Sequence, residues 1–199
     1  MIIELLTSTS SIADMEKFAA LATLTCHANT NKEFVPAEVL GRIIKAGHES
    51  ILEHINLTYS IKGISRALLQ ELARHRHISL SVESTRHTLK KYIENCEGVE
   101  ALFEAVPNKY HVALHNFLEF SYENTGITAN DELKYFIPEF WPTNLILTSN
   151  VRELRHIIDL RTAPAALKEF RELARAMYKA VPEEYKYLLA DCVHEENRA

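Results

Sequence analysis

Residues Arg74 to Arg86 read RHRHISLSVESTR, with Arg74, His75 and Arg76 side by side ahead of Ser79, Ser81, Ser84 and Thr85, and Arg86 closing the run. Upstream, ISRALLQELA at 64–73 carries Ile64, Leu68, Leu69 and Leu72 at three- and four-residue spacing, the apolar stripe of a helix. Successive helical residues point about 100° apart. Three consecutive basic side chains therefore cannot all meet one small ligand from inside a regular helix. They sit where the helix ends, or they fan around a large anion such as a diphosphate cofactor. The hydroxyls and the planar guanidinium of Arg86 suit phosphate or an imide. The alternative is a solvated basic helix end, favoured by the helix dipole, with the serines forming a loop.

Working outward, Ile55, Leu57, Tyr59 and Ile61 alternate with Asn56, Thr58 and Ser60, which predicts a half-buried strand leading through Gly63 into that helix. Residues 1–6 read as a short strand. A helix follows from about Ser11, with Ile12, Met15, Phe18, Ala19 and Ala22 on one face, then a turn at Cys26, His27 and Asn29. Pro36 opens a second helix that closes at Gly47. Beyond Arg86, the polar stretch 88–98 reads as strand end and loop, with Lys90 and Lys91 solvated. Pro107 opens a helix with Tyr110, Ala113, Leu114, Phe117 and Ser121 on one face, and Asn124–Asp131, containing Gly126, is a turn-rich break. Asn144–Thr148 reads as a buried strand. Asn150 and Glu153 have the spacing of a capping box, so a helix runs from Val151 to about Arg161 and stops before Pro164. Arg152 and His156, four apart, share a face. Ala166, Phe170, Leu173, Ala174 and Met177 mark another helix, and Pro182 a last one with Tyr185, Leu188 and Leu189.

At 199 residues and 47% hydrophobic content, the chain suits one domain burying about 70% of its unfolded surface. A net charge of −5 argues against bulk nucleic-acid binding, which needs a basic footprint. Cys26, Cys96 and Cys192 are scattered and form no CxxC, which fits a reducing cytoplasm. No basic lead and no long apolar run suggests secretion or a membrane span.

Ten histidines raise a metal site, but His48, Glu53 and His54 form no HExxH, and Glu53 and His54 face opposite sides if the strand begins there. His111 and His115, four apart on a helix, read better as a polar face, and the expectation is no metal. Ser84 near His75 and Glu83 has a triad's composition without a GxSxG elbow. With five glycines and neither GxGxxG nor a P-loop, any dinucleotide must be held by the Arg/His cluster.

Arg-His-Arg followed after seven residues by Ser84 resembles the signature of the flavin-dependent thymidylate synthases. HESILEH at 48–54, ISRALLQELA at 64–73 and SNVRELRHIIDLR at 149–161 resemble its flanking segments, so the likeness spans most of the chain. It implies a single α+β domain over 1–199, a mixed sheet flanked by long helices, and a homotetramer whose subunits share active sites. The implied reaction converts dUMP, 5,10-methylenetetrahydrofolate and NADPH to dTMP, tetrahydrofolate and NADP, with FAD held outside any Rossmann fold.

The resemblance further implies FAD contacts from His48, Ser50, Arg74, His75, Arg76, Val82, Asn150, Val151, Arg152 and His156. For dUMP it implies Glu71, Leu72, Ala73 and Arg74, then Val82, Glu83, Ser84, Thr85 and Arg86, with Lys134 and Arg161. Arg161 is the expected catalytic residue, stabilising charge at N3 and O4 of the uracil so that C5 becomes nucleophilic without an enzyme cysteine. Val82 stands where the family has a polar residue, His87 replaces Tyr, Lys134 replaces Arg, His156 replaces Asn, and Leu167 replaces Gln. Two other readings remain: a flavin- or nucleotide-binding protein that has lost turnover, and a metal-dependent phosphohydrolase using the histidines.

Overall fold

The computed structural model describes residues 1–6, 11–28, 33–94, 96–123 and 130–195. In chain order the strands are β1 (Ile2–Leu6), β2 (Asn56–Ser65), β3 (Ile78–Val82) and β4 (Pro142–Asn150). The helices are α1 (Ile12–Cys26), α2 (Pro36–Lys45), α3 (Arg66–Leu72), α4 (Thr85–Ile93), α5 (Cys96–Ala105), α6 (His111–Glu123), α7 (Asn130–Leu133), α8 (Val151–Thr162) and α9 (Lys168–Ala180). Short 3-10 turns cover Glu49–His54, Asn108–Tyr110, Lys134–Phe136, Glu183–Leu188 and Ala190–Cys192. The class is α+β, with a four-stranded sheet ordered β1-β2-β4-β3 among the described residues.

Contacts divide the chain into two compact units. The first comprises Met1–Ile61, Arg74–Leu80 and Ile146–Ala199; the second comprises Lys62–Ala73 and Ser81–Leu145. Strands β2, β3 and β4 contribute residues to both. β2 and β4 run antiparallel, as the pairing shows within each unit. In the first, Val151 N donates to Ile55 O at 2.8 Å and the hydroxyls of Thr58 and Thr148 meet at 2.9 Å. In the second, Gly63 N donates to Asn144 Oδ1 at 3.0 Å and Arg66 N to Trp141 O at 3.1 Å. Falling residue numbers on one strand match rising numbers on the other, the antiparallel register.

In the first unit, Ser11 caps α1 by accepting from Asp14 N. α1 buries Met15, Ala19, Ala20 and Thr23, while Phe18, assigned to the buried face from spacing, is 58% exposed. α2 starts at Pro36 and stops ahead of Gly47, whose φ of +72° an L side chain rarely adopts. α8 and α9 pack together and bury Leu154, Ile157, Ile158, Phe170, Leu173, Ala174 and Met177. Two expectations change here. Glu53 and His54 belong to the 3-10 turn Glu49–His54 and not to a strand, and Glu183–Leu188 is also 3-10.

In the second unit, Ile64 belongs to β2, and the signature helix is only α3, capped by Ser65 Oγ accepting from Leu68 N at 3.0 Å. Of the stretch 88–98, read as strand end and loop, residues 88–93 lie on α4 and 96–98 on α5. A core of Leu89, Ile93, Leu102, Val106, Leu114, Phe117, Leu118, Leu133 and Trp141 joins these helices to α6 and α7. Gly98 lets α5 close on α4: a Cβ there would stand 2.6 Å from Tyr92 O. The turn residue Asn29 and residues 124–129 of the expected break lie outside the described residues, while Asn130 and Asp131, assigned to that break, open α7.

Candidate active site

Asn150 ends β4 and caps α8. Its extended backbone turns the side chain back, so that Oδ1 accepts from Glu153 N at 2.8 Å. The capping box stops half-formed, because the Glu153 carboxylate accepts from His75 Nδ1 at 3.1 Å in place of reaching back to the cap. On the ring's other side, Arg161 Nε donates to His75 Nε2 at 3.1 Å. The Arg161 guanidinium lies 4.5 Å over the Phe170 ring of α9. His75 also meets Phe170 and His156 edge-on, at 5.9 and 5.7 Å between centroids.

His75 is 7% exposed, and its pKa is lowered from 6.5. Burial is the chief cause, with the charges of Arg161 and His156 adding to it, while the hydrogen bond and charge of Glu153 oppose them. A buried neutral imidazole results. With both ring nitrogens engaged, His75 is not available as a base for Ser84, and the triad reading fails.

A cleft of about 620 Å³ in the same unit is lined by Glu49, Glu53, His77, Asn150, Arg152, Glu153 and His156. Arg152 and His156 do share a face, as their spacing predicts. Arg152 Nη1 donates to Glu53 Oε1 at 2.5 Å, yet both side chains are half exposed. Such a half-exposed pair contributes little to stability. Arg74 and Arg76 are exposed on the turn after α3, where the helix ends, with His75 pointing inward between them. His48 and Ser50 are exposed beside Glu49, and Val151 is buried with its N–H given to Ile55 O. Deeper in α8, Arg155 (5% exposed) donates to Glu49, to both carboxylate oxygens of Asp191 and to Leu188 O.

The second unit holds most of the residues expected at dUMP. Glu71, Leu72 and Ala73 end α3, with Leu72 buried. β3 ends at Val82, which is exposed. Glu83 is held internally: its N donates to Asn144 O at 2.8 Å, and its Oε2 accepts from Asn144 Nδ2 at 2.6 Å. Burial first, and then the hydrogen bond to Glu83, push the Tyr92 phenol up to about 12. Ser84 stands at the N-cap of α4 with its side chain making no capping bond, and Thr85 is buried. Arg86 grips Asp131 with two bonds, Nε to Oδ1 at 2.5 Å and Nη2 to Oδ2 at 3.1 Å. Asn130 Nδ2 donates to Arg86 O at 2.7 Å, tying α7 to α4. Lys134 is exposed in the 3-10 turn after α7.

A family model described as thymidylate synthase complementing protein matches residues 4–185. The flavin-dependent thymidylate synthase of Campylobacter jejuni is 39% identical over 184 residues, covering 86% of this chain and 85% of that one. The chain belongs to the flavin-dependent thymidylate synthases. It is a methyltransferase, and its fold is theirs. The flavin-dependent thymidylate synthase of Wolinella succinogenes is 43% identical over 164 residues, covering 76% of this chain and 78% of that one. The crystal structure of thymidylate synthase X from Helicobacter pylori, with FAD and dUMP, superposes with a TM-score of 0.83 at 31% identity. It covers 98% of this chain and 100% of that one.

In this flavin-dependent thymidylate synthase, sequence reasoning missed Glu153 as a partner of His75, Phe170 as the platform under Arg161, and Glu49, Glu53 and His77 as cleft walls. It also missed Asn144 and Tyr92 behind Glu83, and Asp131 against Arg86. Glu153 carried only the capping signal and Phe170 only the core signal; nothing in spacing pointed to the others.

Proposed function

We propose that this chain binds FAD and dUMP and reductively methylates dUMP to dTMP. In this reading 5,10-methylenetetrahydrofolate supplies the carbon and NADPH the reducing equivalents. The observation that carries it is Arg161, a permanent cation fixed at one edge by His75 and across its plane by Phe170. A guanidinium held in that way is suited to stabilise negative charge at N3 and O4 of a uracil, which makes C5 nucleophilic.

No cysteine has to attack the ring. Cys192 is unsuited to it, since burial pushes its thiol up to about 12 against the opposing charge of Arg155. The flavin, when bound, supplies hydride transfer and relay of the one-carbon unit. The donors in the first unit's cleft fit its diphosphate: Arg152 can exchange Glu53 for phosphate, with His77, Asn150 and His156 alongside. His48, Ser50, Arg74 and Arg76 are the further contacts in that unit, whereas Val151 has its N–H committed to Ile55 O; Val82 is an expected flavin contact of the second unit. For dUMP, Ser84 and the opening turn of α4 offer donors to phosphate, with Arg86 and Lys134 as cations, and Glu83 keeps that turn in place. Glu71, Leu72, Ala73 and Arg74 carry the end of α3 toward the nucleotide.

The chain acts as one synthase domain and assembles as a homotetramer in a reducing cytoplasm. Tyr135, 88% exposed, with Phe136, Leu160 and Leu167, leaves apolar surface for subunit contacts. The test is dTMP formation from dUMP, 5,10-methylenetetrahydrofolate, NADPH and FAD without oxygen, omitting one component at a time. dTMP is expected only with all four, and is expected to be lost in Arg161→Ala. Absence of dTMP from protein that binds both FAD and dUMP would overturn the reading.

A further inference from the structure

His75 is the joint between two charged groups on α8. Arg161 Nε can only donate, so the His75 Nε2 facing it at 3.1 Å must be bare. In a neutral ring the proton then sits on Nδ1, and that nitrogen faces Glu153 Oε1 at 3.1 Å. The other tautomer would set two donors against each other at Arg161. Glu153 is thus the acceptor that holds the proton on Nδ1, the same tautomer that the Arg161 donor requires. It can do so because its backbone N–H, and not its carboxylate, satisfies the Asn150 cap. The remaining neighbours of the ring, His156 on α8 and Phe170 on α9, offer edges or faces and no competing acceptor at Nδ1.

We infer that Glu153 is a positioning residue for the methylation: it holds His75 as the Nδ1–H tautomer, whose bare Nε2 anchors Arg161 against the uracil. The inference rests on the reading that Arg161 meets the pyrimidine. In this role the Glu153 side chain works through two hydrogen bonds in series. The arrangement also explains why the capping box is left half-made: the carboxylate is committed elsewhere.

The test compares wild type with Glu153→Ala and Glu153→Gln. Each is read by nitrogen NMR of the histidine tautomers and by kcat and KM for dUMP with all cosubstrates present. The cap uses only the Glu153 main chain, so α8 is expected to start normally in both variants. In Glu153→Ala the Nδ1–H form of His75 should lose its dominance, and kcat should fall about ten- to a hundredfold, the weight of a hydrogen bond to a charged group. KM should change less. Glu153→Gln, which keeps an acceptor oxygen, should restore the tautomer and most of kcat. An active wild type whose Glu153→Ala variant keeps the tautomer, or keeps kcat, overturns the positioning role alone. A wild type that makes no dTMP overturns both the site reading and the role that rests on it.

Discussion

Asn150 performs two jobs that substitution can separate. Its Oδ1 accepts from Glu153 N at 2.8 Å and starts α8, and its side chain also lines the cleft assigned to flavin. Asn150→Ala removes the cap and should cost about 1 kcal/mol. For a chain of this size that lowers Tm by about 2–4 °C. Asn150→Asp keeps the acceptor and adds a charge that the helix N-terminus favours, so Tm of the flavin-free protein should hold or rise. The same carboxylate would stand in the cleft beside a diphosphate. At about 10 Å and an effective dielectric of about 20, one such repulsion is about 1.7 kcal/mol, or more than tenfold in affinity. Circular dichroism melts of flavin-free protein and titrations followed by quenching of flavin fluorescence read the two effects separately. Asn150→Asp binding FAD as tightly as wild type would refute placement of the flavin in this cleft, and an unchanged Tm in Asn150→Ala would refute the cap.

Arg155→Met should lower stability by about 3 kcal/mol, because it strips partners from Glu49, Asp191 and Leu188 O around a nearly buried guanidinium; thermal melts should show a fall of roughly 6–12 °C. The pKa of His75 lies below its unfolded value of 6.5, so its stabilising contribution is complete above that pH and is lost as pH falls through the folded pKa. Urea midpoints at pH 7.5 and pH 5 should therefore separate less in His75→Gln than in wild type, with Glu153, Arg161 and His156 unchanged in both. Asp131→Asn should release Arg86 and lower KM for dUMP a few-fold at low salt, the gain fading as salt rises; an unchanged KM would show that Arg86 does not meet the phosphate.

What could be read from the chain was local. Pro36 and Gly47 bracket α2, Asn150 opens α8, and the alternation at Ile55–Ile61 marks β2, because each signal depends on neighbouring residues alone. The turn Glu49–His54 was lost because Ile51 stands in phase with the alternation at Ile55–Ile61, so the strand pattern runs back into it. α4 and α5 were lost for another reason. Thr85, Leu89 and Ile93 recur every four residues, but charged neighbours and Gly98 mask the stripe, and the need for a glycine there is visible only once α5 lies against α4. At the site, the Arg-His-Arg cluster was legible as a cluster but its division of labour was not. His75 turns inward to partners 78 and 86 residues away, and Arg152 pairs with Glu53 across 99 residues. Glu83, expected at the substrate, is tied to Asn144, 61 residues off. Spacing along a chain carries no information about such pairs.

The visible spectrum of the purified protein, recorded without oxygen before and after NADPH, with and without dUMP, tests the central claim most directly. Oxidised-flavin bands that bleach with NADPH, and faster when dUMP is present, are the predicted result and show cofactor and substrate in one functioning site. A colourless protein that takes up no added FAD would contradict it.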